Sequence, residues 1–168
     1  MGYPHYMSLV YVVFVSFLHF SHSHNAPQDY VKAHNDVRKV VGMGPMQWDA
    51  NVAKFAESYA NKRKDCALIH SHNPKYGENI AWGTGEFTGL DAVKLWADEK
   101  RDYNYHSNTC KPFKMCGHYT QMVWKNSIRI GCARAKCLNG AWFVTCNYDP
   151  PGREINIIRG CSSVMCEL

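Results

Sequence analysis

The sequence predicts an α+β domain in which helices cover a small antiparallel sheet and disulfides staple the whole. Three observations carry that prediction. Apolar residues first recur at helical spacing, they then alternate at strand spacing around a turn near the C-terminus, and eight cysteines form an even set beyond an apolar leader. At 168 residues the chain is long enough for one hydrophobic core and short for two, so a single domain is expected.

The leader comes first. Met7 to Phe20 is an apolar run without formal charge, and all 19 Lys and Arg lie beyond it. A membrane-spanning helix needs about 20 apolar residues, so this run suits a secretory signal peptide better than a retained anchor. The small-x-small pattern Ser21-His22-Ser23 places cleavage after Ser23, with Ala26 as the alternative, so residues 1–23 are expected to be removed.

Helical periodicity begins at Pro27, which suits a first turn, and continues through Tyr30, Ala33, Val37 and Val41 on one face. Gly42-Met43-Gly44-Pro45 breaks this first helix. A second follows, with Trp48, Val52, Phe55, Ala56 and Tyr59 on its apolar face, Asp49 near its start and Lys62-Arg63-Lys64 at its end, where they complement the dipole. Residues 66–89, rich in Gly, Asn, His and Ser, read as an irregular loop with a short ordered turn at Glu78-Asn79-Ile80. Thr88-Gly-Leu-Asp91 resembles a capping box with Asp in place of Glu, and predicts a third helix through about Lys100. A short fourth helix is expected from His118 to Trp124.

The period then changes. Ile128, Ile130 and Cys132 alternate, as do Trp142, Val144 and Cys146, around Asn139-Gly140, which is a hairpin signal. An odd loop would set Cys132 opposite Cys146 and allow a bridge, whereas a two-residue turn would leave them out of register. All eight cysteines, Cys66, Cys110, Cys116, Cys132, Cys137, Cys146, Cys161 and Cys166, follow the leader, as disulfides of an exported chain would. Structural zinc is disfavoured, because no CxxC pair occurs and the C-x5-C and C-x4-C spacings are loose.

A net charge of +5, with basic residues scattered, favours approach to anionic surfaces such as microbial walls or membranes, and otherwise serves solubility. It gives no dense basic patch for nucleic acid. Chemistry-bearing residues are sparser. Glu99 follows Ala92 and Trp96 at i+7 and i+3, so its carboxylate borders an apolar stripe, a costly position without a partner. His118 opens the fourth helix after Gly117, and Glu78 follows Gly77 in the loop that His70 begins. Spacing does not join these residues. Each could equally be a buried, hydrogen-bonded structural group.

Six collinear segments go further. They are Gln28-Asp-Tyr-Val-Lys-Ala-His-Asn35, Gly44-Pro-Met-Gln-Trp48, Tyr76-Gly-Glu-Asn79, Trp96-Ala-Asp-Glu99, Gly117-His-Tyr-Thr-Gln121 and Cys146-Asn-Tyr-Asp-Pro-Pro-Gly152. Across residues 28–152 the chain resembles the group 1 pathogenesis-related proteins of plants, in the superfamily of cysteine-rich secretory proteins and insect venom antigen 5 (the CAP or SCP domain). The resemblance implies a three-layer α-β-α sandwich with a cleft lined by two His and two Glu, here His70, Glu78, Glu99 and His118. It makes His34 structural and leaves His72 a neighbour of the loop. It also implies the bridges Cys66–Cys137, Cys110–Cys116 and Cys132–Cys146.

Two imidazoles and two carboxylates are competent zinc ligands, though copper or no metal is equally open and none is required. The same groups could serve a metal-dependent hydrolase, but the chain has neither HExxH nor GxSxG. The other reading is that they only hold loop and helices together, so the expectation is a protein that is not an enzyme. What the resemblance implies is a secreted, monomeric defence protein of the apoplast, or alternatively the vacuole. It would act on fungi and oomycetes by binding sterol or other lipid of their membranes in a groove. A precursor releasing its C-terminal segment after Asp149 is a further alternative. Residues 153–168 depart from the family pattern, with Arg153 after Pro-Pro-Gly, and Cys161 is expected to pair with Cys166 there.

Overall fold

A computed structural model of the protein describes residues 25–152. The expected leader, the divergent tail and the expected Cys161–Cys166 bridge lie outside them. Helix α1 spans Pro27–Val40. The Asp29 carboxylate closes its first turn by accepting from Ala26 N at 3.0 Å, and Arg38 and Lys39 sit in its last turn. Gly42 then turns the chain at a φ of +70° that favours glycine. The expected face is rotated: Tyr30, His34 and Arg38 are buried, while Ala33, Val37 and Val41 are only half-buried. The polar groups of His34 and Arg38 can occupy the core stripe because both find acceptors inside. Arg38 Nε donates to Gly44 O at 2.6 Å, and its Nη1 donates to Met122 O and Trp124 O at 2.9 and 2.8 Å.

Trp48 is not helical; Gln47–Trp48 forms strand β1, and helix α2 starts after it at Ala50–Lys62. Asp49 caps α2 by accepting from Asn51 N and Val52 N at 2.8 and 3.0 Å. Val52, Ala56 and Ala60 form its buried stripe, with Phe55 and Tyr59 half-buried beside it. The segment expected to be loop contains the seven-residue strand β2, Gly77–Gly83. Its Gly-Glu-Asn start has poor strand propensity, and pairing with a long partner overrides it. Helix α3, Gly89–Asp98, begins with the Thr88–Asp91 capping box and tightens into a 3-10 turn at Glu99–Asp102. A small ribbon, β3 (Tyr103–Asn104) with β4 (Thr109–Cys110), precedes the six-residue helix α4, Gly117–Met122, which stops short of Trp124.

Strands β5 (Arg129–Lys136) and β6 (Trp142–Asp149) form the hairpin. Its loop, Cys137 to Ala141, is odd in length, so Cys132 stands opposite Cys146. The main sheet runs β1-β5-β6-β2, antiparallel except for β1, which is parallel to β5. The alternation expected for β6 does not hold, because Phe143 through Tyr148 are all buried. Helices on both faces bury both sides of a central strand.

Three layers result. On one face α1, α3 and α4 pack through Tyr30, Val93, Trp96 and Met122 onto Ile130, Val144 and Tyr148. On the other, α2 packs on β5 and β6, with Ala60, Ile80, Ala135 and Phe143 at one end. Gly131 lets α2 approach, since a Cβ there would land on the backbone of Val52 and Ala53. Disulfides join Cys66 to Cys137, Cys110 to Cys116 and Cys132 to Cys146. The exit of β6 is also tied: Arg129 Nη2 contacts Asp149 Oδ2 at 2.9 Å, Ile128 N donates to Asp149 O, and Gly152 N donates to Gln121 Oε1. Among the described residues no helix is long and apolar enough to cross a membrane.

Candidate functional site

The four predicted residues form two Glu–His pairs. Glu99 lies where α3 narrows into its 3-10 turn, which aims the carboxylate at α4. Its Oε1 accepts from His118 Nδ1 at 2.6 Å, and its Oε2 accepts from Tyr119 N at 3.1 Å. Trp96 stacks on the His118 ring, centroids 6.1 Å apart at 22°, and holds its own place by donating from Nε1 to Ile80 O. The cost of a carboxylate beside an apolar stripe is thus met by two donors.

Glu78, near the start of β2, accepts at Oε1 from His70 Nδ1 at 2.9 Å and from Ser71 N at 2.8 Å, and at Oε2 from Asn147 Nδ2 at 3.1 Å. Its side chain is only 6% exposed. Burial alone would raise this carboxyl, but the hydrogen bonds from His70, Ser71 and Asn147 outweigh it, and Glu78 sits below the usual carboxylate value.

Strand alternation relates the pairs. Glu78 and Asn79 are neighbours on β2 and point to opposite faces. Glu78 meets Asn147 on the α2 side, whereas Asn79 donates to His118 O at 3.0 Å on the side of α3 and α4. In each pair an Nδ1–H donated to carboxylate leaves Nε2 as the free imidazole lone pair. Carboxylate-oriented imidazoles are chemically suited to a metal, but a closed four-ligand zinc centre does not fit. Both carboxylates are committed to imidazoles and amides, and among the described residues no three His, Cys, Asp or Glu gather where one ion could hold them.

His34 lies in the core, fully buried, with Nδ1 donating to Tyr30 O at 2.8 Å and Nε2 accepting from Tyr148 Oη at 2.9 Å. Asn79 Nδ2 also donates to Tyr148 Oη at 3.0 Å, so a buried chain runs from α1 through β6 and β2 to the His118 carbonyl. Burial pushes His34 down to about 4, against the opposing hydrogen bond to Tyr30 O and with a still smaller push from the Arg38 charge; burial pushes the Tyr148 phenol well up. His72 is exposed at a φ of +53°. Sequence reasoning missed Ser71, Asn79 and Asn147. A signal existed for Asn147, an amide within the apolar run of β6.

Comparison with known proteins agrees with this architecture. The model of the cysteine-rich secretory protein (CAP) family matches residues 31–148. The chain is 57% identical over 148 residues to the pathogenesis-related protein PR-1 type of Sambucus nigra, covering 87% of this chain and 89% of that one. It is 50% identical over 157 residues to pathogenesis-related protein 1 of Arabidopsis thaliana, covering 92% and 95%. Among solved structures, venom allergen-like protein 4 of Schistosoma mansoni superposes with a TM-score of 0.63 at 26% identity, over 76% of this chain and 89% of that one. NaASP2, solved with Zn2+, does so with a TM-score of 0.63 at 26% identity, over 77% and 82%. With the two paired carboxylates, the three bridges and the α-β-α layers in place, this chain belongs to the cysteine-rich secretory protein family, among the plant pathogenesis-related 1 proteins.

Proposed function

We propose that this defence-related protein is exported to the apoplast, or to the vacuole, and acts as a non-enzymatic monomer that takes up sterol or a related lipid from fungal or oomycete membranes. One observation carries the reading. The segment between β3 and α4 exposes Tyr105 (79%) in the β3–β4 turn and Phe113 (90%) and Met115 (46%) in the loop closed by Cys110–Cys116. Phe113 adopts a φ of +61°, a left-handed conformation unfavourable for a bulky residue, and gains no burial from it. An apolar rim presented at that conformational cost suits a lipid surface.

No reaction step is assigned to the two Glu–His pairs, whose hydrogen bonds suffice to hold loop and helices. If a divalent cation visits them, Nε2 of His70 and of His118 are the atoms left to receive it. The test is binding of a labelled sterol to the mature protein, alongside growth inhibition of an oomycete culture with and without added sterol. Saturable binding should weaken roughly tenfold or more in Phe113→Asp. It should persist in His118→Ala, and added sterol should relieve inhibition. Absence of both binding and inhibition overturns the proposal.

A further inference from the structure

Cys110–Cys116 closes the segment Lys111-Pro112-Phe113-Lys114-Met115 into a loop whose base is built into the fold. Cys110 stands opposite Tyr103 in the β3–β4 ribbon, and the buried Cys116 leads straight into α4. Lys111 N donates to Asp102 O at 2.8 Å, and Lys114 N donates to Lys111 O at 3.1 Å, so the chain turns back on itself between its anchors. All the enclosed residues are nevertheless exposed.

Charge is distributed unevenly around this tip. From Tyr103 to Gly117 the sequence holds no Asp or Glu. Asp102, just before that stretch, is shared by Lys111 Nζ at 3.1 Å and Arg101 Nε at 3.8 Å, one carboxylate between two cations. Glu99 is committed to His118 and to Tyr119 N, while Asp98 and Lys100, both exposed at the end of α3, offset each other. Lys114 takes part in none of the ion pairs among the described residues. The uncompensated positive charge therefore falls on the loop, beside Phe113 and Met115.

An apolar tip set among cations is complementary to a surface in which hydrocarbon lies beneath a layer of phosphate. Long lysine side chains keep their ammonium groups at phosphate level while neighbouring apolar groups sink past it. A protein groove deep enough for Phe113 would instead have to strip water from Lys114 beside it. We infer that the Cys110–Cys116 loop docks the protein on anionic phospholipid bilayers, with Phe113 and Met115 entering the acyl boundary and Lys114 contacting phosphate. Tyr105, exposed in the adjoining β3–β4 turn, suits the headgroup zone of the same membrane. Because the bridge holds Phe113 outward before any membrane is met, little ordering is left to be done on docking. The inference rests on the lipid reading given above and deepens it by naming the surface on which uptake begins.

The experiment floats the full mature protein with sterol-free vesicles of phosphatidylcholine, with and without phosphatidylserine. Binding to the anionic vesicles is expected, at least about tenfold weaker on phosphatidylcholine alone and falling with added salt. Lys114→Glu and Phe113→Ser should each weaken it about tenfold or more, and should leave thermal unfolding near that of the parent because both side chains are exposed. Lys54→Glu makes the same change of charge on an exposed position of α2, across the sheet from α4, and should bind as the parent does. Labelled sterol presented without vesicles separates the two readings, since Lys114→Glu should keep that binding. Equal binding to both vesicles, unchanged binding in Lys114→Glu or Phe113→Ser, an equal loss in Lys54→Glu, or loss of sterol binding together with vesicle binding in Lys114→Glu overturns the inference. Vesicle binding absent with sterol binding intact overturns it alone and leaves the sterol reading standing.

Discussion

At the Phe143 end of the sheet, α2 packs through Ala60, Ile80, Ala135 and Phe143, and the layer is locked by Cys66–Cys137. On the opposite face, α1, α3 and α4 enclose His34, Arg38 and Asn79 among the apolar side chains, each spent on partners inside the protein. The first face is therefore held by shape and a covalent link between distant segments, the second by shape and directed hydrogen bonds, its bridge Cys132–Cys146 joining only one strand of the hairpin to the other. The difference teaches where each is vulnerable: the first to loss of its bridge, the second to protonation.

The largest effect should come from the bridge. Cys66→Ser with Cys137→Ser frees a loop with a sequence separation of 71. The chain-entropy relation puts the loss at about 4 kcal/mol, read as a fall in the denaturation midpoint. A loss well under half of that would mean that apolar packing alone holds the α2 face.

Acid should act on the other face. His34 stays neutral in the folded protein down to about 4, while in the unfolded chain it takes a proton near the ordinary 6.5. The unfolded state binds more protons in that window, so the contribution is complete above pH 6.5 and is lost as pH falls toward 4, by about 3 kcal/mol. Denaturation curves at successive pH values check this, with His34→Gln expected to flatten the dependence. A parent protein as stable at pH 4 as at pH 7 would remove the distinction between the faces.

The smallest of the three concerns how α3 is placed. Thr88→Ala removes the hydroxyl that accepts from Asp91 N and should cost about 1 kcal/mol in the same assay. A larger loss would show that the start of α3 also supports the enclosed polar chain.

What could be read from the sequence follows the same physical divide. Caps and dipole partners are local, so Asp49 and Thr88 announced α2 and α3 directly. Hairpin register was also within reach once the loop between Lys136 and Trp142 was known to be odd. Strand β2 was not, because its order comes from seven pairings with β6, distant in sequence. His34 and Arg38 were poor candidates for a core stripe by hydropathy, and only the partners they find in Tyr148, Gly44 and Met122 place them in one. His70, Glu78, Glu99 and His118 were named through family resemblance. Which histidine meets which carboxylate depends on the junction of α3 with its 3-10 turn and on β2 pairing, neither of which spacing reveals.

A protease takes its substrate as an extended segment of several residues lifted clear of neighbouring structure, and Asp149 is not presented in that way. Its carboxylate is held by Arg129, its carbonyl by Ile128, and the chain three residues on by Gln121. Cleavage after Asp149, the step a signalling-peptide precursor would require, has to wait until the end of the hairpin peels away. Its rate would then follow the frequency of that local opening, and anything that tightens the Arg129–Asp149 clasp would slow the cut without touching the protease.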